Sequence, residues 1–118
     1  MGRIQRPGSD RRRAMVKRGD ICWADHPEDK RRPALVLTRP EAIPVMRNVT
    51  VAYLTRTIRG IPSEVRLDRS DGVPDECVVS LDNLRTLPQV FLGDPITSLA
   101  GKRMDEVCRA LAIATGCR

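Results

Sequence analysis

Histidine and aromatic residues are scarce in this sequence, which has one histidine among 118 residues and 3% aromatic residues. The single histidine, His26, excludes a ribonuclease mechanism that needs two imidazoles within one chain. No P-loop, GxGxxG, GxSxG or HExxH motif occurs, so the nucleotide-binding, hydrolase and metalloprotease classes that carry these motifs are not indicated. The four cysteines form no CxxC pair, and we therefore expect no metal site and no cofactor.

Long apolar runs and a secretory signal are also missing. No apolar stretch approaches the roughly 20 residues that a membrane-spanning helix needs. The amino terminus is basic but lacks the apolar segment of a signal peptide. These absences predict a cytoplasmic protein that has no membrane partner and keeps its cysteines reduced.

The net charge of +6 lies entirely at the amino terminus. Residues 1–18 hold seven Lys or Arg and one Asp, whereas residues 19–118 hold fourteen of each sign. We expect residues 1–15 to form a disordered basic arm and residues 16–118 to form one domain. Within that domain, residues 30–69 carry nine Lys or Arg against three acidic residues. On charge alone, these cations form either a basic face or ordinary surface pairs with the acids.

Short apolar segments separated by turn residues predict a mostly β fold of the α+β class. Strands are predicted over residues 21–25, 33–38, 49–54, 63–67 and 77–81, with a further short strand at 85–87 and an ambiguous segment at 91–97. One helix is predicted at about residues 101–115, with Gly116 as its C-cap. Several short strands followed by one helix indicate a small barrel or a strongly curved sheet.

The stretch KRRPALVLTR, residues 30–39, places three cations directly before an apolar strand. Pro33 cannot donate a ladder hydrogen bond and suits the first position of a strand. Arg32 is either a solvated charge at the strand end or a guanidinium held rigidly enough to grip a phosphate with two parallel N–H bonds. Thr55 is likewise either a sheet-end hydroxyl or a phosphate donor. Core packing and base stacking are the two interpretations of the aromatic residues, Trp23, Tyr53 and Phe91.

Four segments occur in order along the chain: RGDICWAD, RPALVLTR, VAYLTRTIRGIPSEVRL and VPDECVVSLDNLRTLP. They contain a strand that begins with Arg-Pro, a threonine that ends the next apolar strand, a Ser-Glu-Val segment, and a valine-rich strand that enters Asn-Leu-Arg-Thr. No single segment is specific, but the ordered set resembles the MazF/PemK family of toxin endoribonucleases. The resemblance covers roughly residues 16–117.

The resemblance implies a small SH3-like barrel of the MazF/CcdB type, with about five to seven short strands and a carboxy-terminal helix, assembled as a homodimer. It implies the toxin of a toxin–antitoxin pair, which inhibits translation and growth by cutting single-stranded RNA at short sequences without a metal. Attack by the ribose 2′-hydroxyl would leave 2′,3′-cyclic phosphate and 5′-hydroxyl ends. The implied protein partner is an antitoxin whose flexible acidic tail occupies the RNA site.

By position, the resemblance assigns catalytic roles to Arg32 and Thr55. Charge grows on the non-bridging phosphate oxygens during the attack, so a fixed guanidinium and a hydroxyl would stabilise the transition state more than the ground state. Arginine is a poor proton donor, and we therefore favour electrostatic stabilisation over general acid catalysis for Arg32. Arg85 is either an RNA contact or a structural ion pair. The residues implied to bind RNA are Arg31, Arg56, Arg59, Asn83 and Arg85.

The loop between the first two strands departs from the family pattern. Many members have a longer, glycine-rich loop with a glutamate, whereas this chain has only HPEDKRR. Neither Glu28 nor Asp29 has the matching spacing to Arg32, so no general base is assigned and the RNA sequence preference stays open. Two alternative functions are a non-enzymatic toxin of the same fold that inhibits DNA gyrase and a non-catalytic RNA-binding module.

Overall fold

Six β-strands and one long carboxy-terminal helix form the fold in the computed structural model, which describes residues 16–117. The arm predicted for residues 1–15 lies outside the described residues. The strands are β1 (Asp20–Ala24), β2 (Arg32–Val36), β3 (Asn48–Thr55), β4 (Glu64–Leu67), β5 (Cys77–Pro88) and β6 (Leu92–Ser98). Short 3-10 helices follow β4 and β5, at Arg69–Asp71 and Gln89–Phe91. The long helix is α1 (Gly101–Thr115).

All strand pairs are antiparallel, in the spatial order β4-β5-β3-β2-β1-β6. The prediction of two separate strands at residues 77–81 and 85–87 is wrong, because β5 runs through both. A large bulge explains the polar interruption. Ala52 of β3 pairs with Leu84, but Leu54 pairs with Val79, so the residues of β5 between these two partners bulge out opposite Tyr53.

The two edges of the sheet approach each other without pairing. The Thr97 hydroxyl of β6 donates a hydrogen bond of 3.0 Å to the carbonyl of Asp71, in the turn after β4. Gly72 adopts a φ of 94°, and a Cβ at this position would collide with the Thr97 side chain. Between residues 16 and 117, no ladder joins β4 to β6. The predicted mostly β class with a carboxy-terminal helix is confirmed, but closure of a barrel is not detected.

Each face of the sheet buries its own apolar cluster. The first cluster lies between the sheet and α1, where Val107 and Ala110 pack against strand residues such as Leu35 and Leu81. The second cluster covers the opposite face. It combines side chains from five strands with Val16, Ile43 and Phe91, and its strand members are Cys22, Ala24, Ala34, Val36, Val49, Val51, Tyr53, Leu87 and Leu92.

Helix α1 has the predicted bounds, and Gly116 caps it in the left-handed region with a φ of 71°. Its most buried face is centred on Val107 and Ala110. Val107 and Ala110 are buried, whereas Cys108 and Thr115 are exposed. No helix in the described range is long and apolar enough to cross a membrane.

Candidate active site

The register of β2 on β3 brings the two predicted catalytic residues together. Ala34 pairs with Tyr53 and Leu35 with Ala52, and continuing this register to the strand ends places Arg32 opposite Thr55. Directly opposite residues in an antiparallel pair have Cβ atoms about 4.5–5.5 Å apart and project from the same face. A guanidinium and a hydroxyl therefore share one corner of the sheet.

Arg31 and Arg32 each stack on an aromatic ring, on opposite faces of the sheet. The guanidinium carbon of Arg32 lies 4.8 Å from the centre of the Tyr53 ring. That of Arg31 lies 4.6 Å from the Trp23 ring. A cation over an aromatic face is attracted by the ring quadrupole, so both guanidinium groups are held in place before any ligand binds.

The Thr55 hydroxyl has a fixed acceptor role in the protein. It accepts a hydrogen bond of 3.1 Å from the backbone N–H of Thr57. A hydroxyl has one proton and two lone pairs, so its O–H remains able to donate to a phosphate oxygen. The turn after β3 thereby orients the side chain of Thr55, the last residue of that strand.

Two further predicted RNA-binding residues follow Thr55 along the chain. Arg56 is exposed and forms an ion pair of 3.0 Å with Asp75. Arg59 is also exposed, and its backbone N–H donates to the Glu64 carboxylate at 3.1 Å, which fixes the loop between β3 and β4. Arg56 thus directly follows Thr55, whereas Arg59 lies further along, in the loop between β3 and β4.

The remaining two predicted residues lie on β5. Asn83 is exposed within the bulge of that strand. Arg85 lies opposite Val51 of β3 and donates a hydrogen bond of 2.7 Å to Asp29, in the loop between β1 and β2. Of the two interpretations of Arg85, the structure contains the ion pair.

A small apolar cleft of about 210 Å³ opens beside Thr55. Its apolar lining comes from strands on one face of the sheet and from the turn before β5, and includes Ile21, Trp23, Pro33, Leu54, Val73 and Ile96. Thr55, Arg56 and Asp75 also line it. Thr55 therefore lies at the border between this cleft and the corner of the sheet that it shares with Arg32.

The cysteines near the site are poor nucleophiles. Burial, with the nearby charges of Asp20 and Asp94, raises the pKa of the Cys22 thiol to about 12. Burial and the charge of Asp71 also raise the pKa of Cys77, which lines the apolar cleft. Because thiolates are the reactive form, neither residue supplies a nucleophile near neutral pH. In the described part of the chain, no three His, Cys, Asp or Glu side chains converge to hold a metal ion.

Sequence reasoning did not identify the partners of the cationic residues. Tyr53 and Trp23 were assigned to core packing or base stacking, and their rings in fact lie beneath Arg32 and Arg31. The signal that could have found them is strand register. An arginine at the start of β2 faces the end of β3, so the residue two positions before that end shares its face.

Comparison with known proteins identifies the family. A model of the family described as PemK-like, MazF-like toxin of type II toxin–antitoxin system matches residues 17–115. The chain is 40% identical over 105 residues to the probable endoribonuclease MazF5 of Mycobacterium tuberculosis, covering 88% of this chain and 96% of that protein.

Solved structures agree with this match. The Mycobacterium tuberculosis toxin MazF-mt6 has a TM-score of 0.76 at 38% identity, covering 82% of this chain and 96% of that one. An endoribonuclease in complex with its cognate antitoxin, from a mycobacterial species, has a TM-score of 0.77 at 27% identity. The match covers 87% of this chain and 97% of that one. The chain therefore belongs to the PemK-like, MazF-like toxins of type II toxin–antitoxin systems, among the endoribonucleases of the MazF family.

Proposed function

We propose that this toxin cuts single-stranded RNA at short sequences without a metal ion, leaving 2′,3′-cyclic phosphate and 5′-hydroxyl ends. The observation that supports this most is the placement of Arg32 opposite Thr55 at the ends of β2 and β3. Cutting cellular RNA in this way would stop translation and growth.

In the proposed reaction, the 2′-oxygen of the ribose attacks the adjacent phosphorus. The 2′-hydroxyl loses its proton, the O2′–P bond forms, the P–O5′ bond breaks, and the departing 5′-oxygen gains a proton. Negative charge builds on the non-bridging oxygens. Arg32 donates two N–H bonds to them, and the free O–H of Thr55 donates a third. Because both side chains are already oriented by the protein, little reorganisation is needed as the charge develops.

Exposed cations around this corner would hold the RNA backbone. Arg31 on its Trp23 platform, Arg56 beside Thr55 and Arg59 in the following loop offer contacts to flanking phosphates. Asn83 and Arg85 on β5 extend the polar surface away from the corner. This binding would weaken steeply with salt, as phosphate contacts do.

The proposed protein partners are a second copy of this chain and a cognate antitoxin with a flexible acidic tail. An acidic segment is complementary to Arg31, Arg56 and Arg59, and would compete with RNA for them. The mycobacterial relative solved with its antitoxin supports the second partner. Light scattering on the purified chain tests the homodimer.

The test of the proposed cleavage is incubation of the purified toxin, free of antitoxin, with a long single-stranded RNA in EDTA. We expect discrete cuts whose ends carry cyclic phosphate. Arg32→Ala should lower the cleavage rate by about 10²–10³-fold, the usual cost of one oxyanion donor. Arg32→Lys keeps the charge but loses the two-pronged guanidinium, and should remain strongly impaired.

The matched control is Arg39→Ala, which removes an exposed arginine from the loop after β2. This variant should cleave like the parent protein. A folded Arg32→Ala protein that cleaves at the parental rate would overturn the proposal. Intact RNA from the folded parent would favour gyrase inhibition, and salt-sensitive binding without cuts would favour an RNA-binding module.

A further inference from the structure

We propose that the basic arm at the amino terminus, residues 1–15, binds RNA phosphates that flank the cut and supplies most of the electrostatic attraction for the substrate. This inference rests on the proposed RNA cleavage and adds to it a second segment that contacts RNA. The arm itself lies outside the described residues. Its arginine content and the place where it joins the fold point to this role.

The arm holds most of the excess positive charge of the chain. Residues 1–15 contain five arginines and one aspartate. Residues 19–118 contain equal numbers of basic and acidic side chains, so the domain has no net charge with which to attract a polyanion. A guanidinium group binds phosphate through two parallel N–H bonds, and basic amino-terminal arms are a common means of binding nucleic acid.

Some of the domain's own cations already have acidic partners. Arg56 forms an ion pair of 3.0 Å with Asp75. Arg85 forms an ion pair of 2.7 Å with Asp29. An arginine that must exchange a carboxylate for a phosphate gains less from RNA than an arginine without such a partner. The attraction of the folded domain for flanking phosphates is therefore weaker than its arginine content suggests.

The fold fixes the point from which the arm leaves. The side chain of Val16 is 5% exposed. The backbone N–H of Lys17 donates to the carboxylate of Asp20 at 2.9 Å, and that carboxylate also accepts from the Ser98 hydroxyl. Asp20 is itself 3% exposed. The path of the chain is thus determined back to residue 16, where the arm joins it.

This point lies on the face of the sheet that carries the catalytic corner. Val16 belongs to the same apolar cluster as Ala34 and Tyr53. Side chains along a strand alternate between the two faces, so Arg32 lies on the same face as Ala34. The Arg32 guanidinium over the Tyr53 ring agrees with this placement. The arm and the proposed scissile phosphate therefore share one side of the sheet.

The catalytic corner is within reach of the arm. The backbone N–H of Gly19 donates to the carbonyl of Val36 at 2.9 Å, at the opposite end of β2 from Arg32. The length of β2 between these two ends is about 13 Å at a rise of about 3.3 Å per residue. A chain of fifteen residues can span up to about 50 Å. Arginines of the arm can therefore meet phosphates on either side of the one that Arg32 holds.

The experiment compares two double variants of the full chain. Arg11→Gln with Arg12→Gln removes two cations from the arm. Lys102→Gln with Arg109→Gln removes two exposed cations from α1, which covers the opposite face of the sheet. Both proteins lose the same charge, so a difference between them reports the position of that charge. A third variant replaces every arginine of the arm by glutamine, at Arg3, Arg6, Arg11, Arg12 and Arg13.

Steady-state cleavage is measured over a range of salt concentrations on two RNAs that contain the same mapped cut site. One RNA ends at the nucleotides next to the cut, and the other is extended on both sides. The parent should have a KM on the order of tenfold lower for the extended RNA. In the variant without arm arginines this advantage should vanish, and the slope of log KM against log salt should become shallower by about 3, since each phosphate contact contributes about 0.7.

The two double variants should differ in the same measurement. The arm variant should lose part of the advantage of the extended RNA, whereas the helix variant should keep all of it. In every variant kcat should stay at the parental value, because the arm contacts flanking phosphates and leaves Arg32 and Thr55 in place.

An extended RNA that has no advantage in the parent, or keeps its advantage without the arm arginines, would overturn the inference and leave the proposed function intact. Equal losses in the two double variants would also overturn it, because net charge rather than the arm would be responsible. A lower kcat with an unchanged KM would overturn it too, since the arm would then act on the reaction and not on binding. A parent protein that cuts neither RNA would overturn both proposals.

Discussion

Among single residues, Tyr53 has the most informative environment. Its ring lies beneath the Arg32 guanidinium, and the side chain is 3% exposed. Its hydroxyl is buried without a hydrogen-bond partner in the described part of the chain. A buried hydroxyl without a hydrogen-bond partner lowers the free energy of unfolding, whereas the contact between the ring and Arg32 raises it. We therefore expect Tyr53 to position Arg32 through its ring in the proposed reaction.

Substitution of Tyr53 separates these two contributions. Tyr53→Phe keeps the ring, so kcat should stay at the parental value while the free energy of unfolding rises by up to about 1 kcal/mol. Tyr53→Leu keeps an apolar side chain but loses the cation–π contact, and kcat should fall on the order of tenfold with little change in KM. Steady-state cleavage of a fluorogenic RNA and urea unfolding measure both quantities.

Tyr53→Phe is also the control for packing, because a purely structural role would make the leucine variant unstable without a selective loss of kcat. If Tyr53→Phe lost its activity while remaining folded, the hydroxyl itself would take part in the chemistry and the positioning role would be wrong.

The strand positions of the predicted site residues could be read from the sequence where one segment contains the signal, whereas their roles in catalysis stay predictions. Arg32 beside Pro33 and Thr55 at a strand end are visible locally, and the observed register brings them together. Tyr53 beneath Arg32 and Asp75 beside Arg56 are separated from their partners by 21 and 19 positions in sequence. Pairs of this kind depend on register and loop path, which local patterns do not determine.

At the scale of elements, an ion pair attaches the loop between β1 and β2 to β5. The backbone N–H of Asp29 donates to the carbonyl of His26 at 3.1 Å, and its carboxylate pairs with Arg85 at 2.7 Å. The His26 ring also contacts the Phe91 ring edge to face, with centroids 5.3 Å apart. This loop leads directly into Arg31 and Arg32. The Asp29–Arg85 pair therefore fixes the path of the chain that leads into Arg32.

A double-mutant cycle tests whether Arg85 acts on the loop or on RNA. If the pair positions the loop, Asp29→Asn and Arg85→Ala should each lower kcat by about tenfold, within the hundredfold that a 1 Å misplacement can cost. The double variant should be no worse than either single variant, because both remove the same interaction. Cleavage rates of the four proteins on one RNA give the coupling energy.

The control is Glu41→Gln, which removes an exposed ion pair of 4.0 Å with Arg39 and should leave kcat unchanged. A direct RNA contact by Arg85 predicts a different pattern. Arg85→Ala would then raise KM, whereas Asp29→Asn would free the guanidinium and lower KM.

The ends of helices and strands could be predicted where the local sequence contains a clear start or stop signal. The helix has a periodic apolar face and a glycine cap, and both of its predicted ends match α1. The polar residues Asp82 and Asn83 suggested the end of a strand, yet β5 continues through them by bulging. A bulge leaves extra residues of one strand unpaired against the same neighbour, and where that happens depends on tertiary pairing rather than on composition.

At the scale of the whole molecule, one ion pair connects the sheet edge to the helix. Arg103 of α1 donates to both carboxylate oxygens of Asp71, at 2.8 and 3.0 Å. The Asp71 side chain is 9% exposed, in the turn that also meets Thr97 of β6. The hydrogen bonds from Arg103 hold the pKa of Asp71 below its usual range. The ion pair thus joins this turn to α1, and the Thr97 hydrogen bond joins the same turn to β6.

This geometry predicts a pH-dependent contribution to stability. A carboxyl group whose pKa is lower in the folded state contributes stability above its unfolded pKa, near 3.9, and loses it as the pH falls through the folded value. Asp71→Asn should therefore lower the free energy of unfolding by about 1–3 kcal/mol at neutral pH. The difference from the parent should shrink below about pH 4 and vanish once Asp71 is protonated in both states.

Chemical unfolding of both proteins between neutral and acidic pH measures this difference. Glu106→Gln is the matched control, since Glu106 also pairs with Arg103 at 2.9 Å but lies one turn away on the same helix. A half-buried i, i+3 ion pair on one helix is worth about 0.2–0.5 kcal/mol, so its loss should have a smaller effect at neutral pH. An Asp71→Asn difference that persisted undiminished at low pH would mean that shape and packing, rather than charge, hold the turn to the helix. The connection between the sheet edges would then not depend on the ion pair.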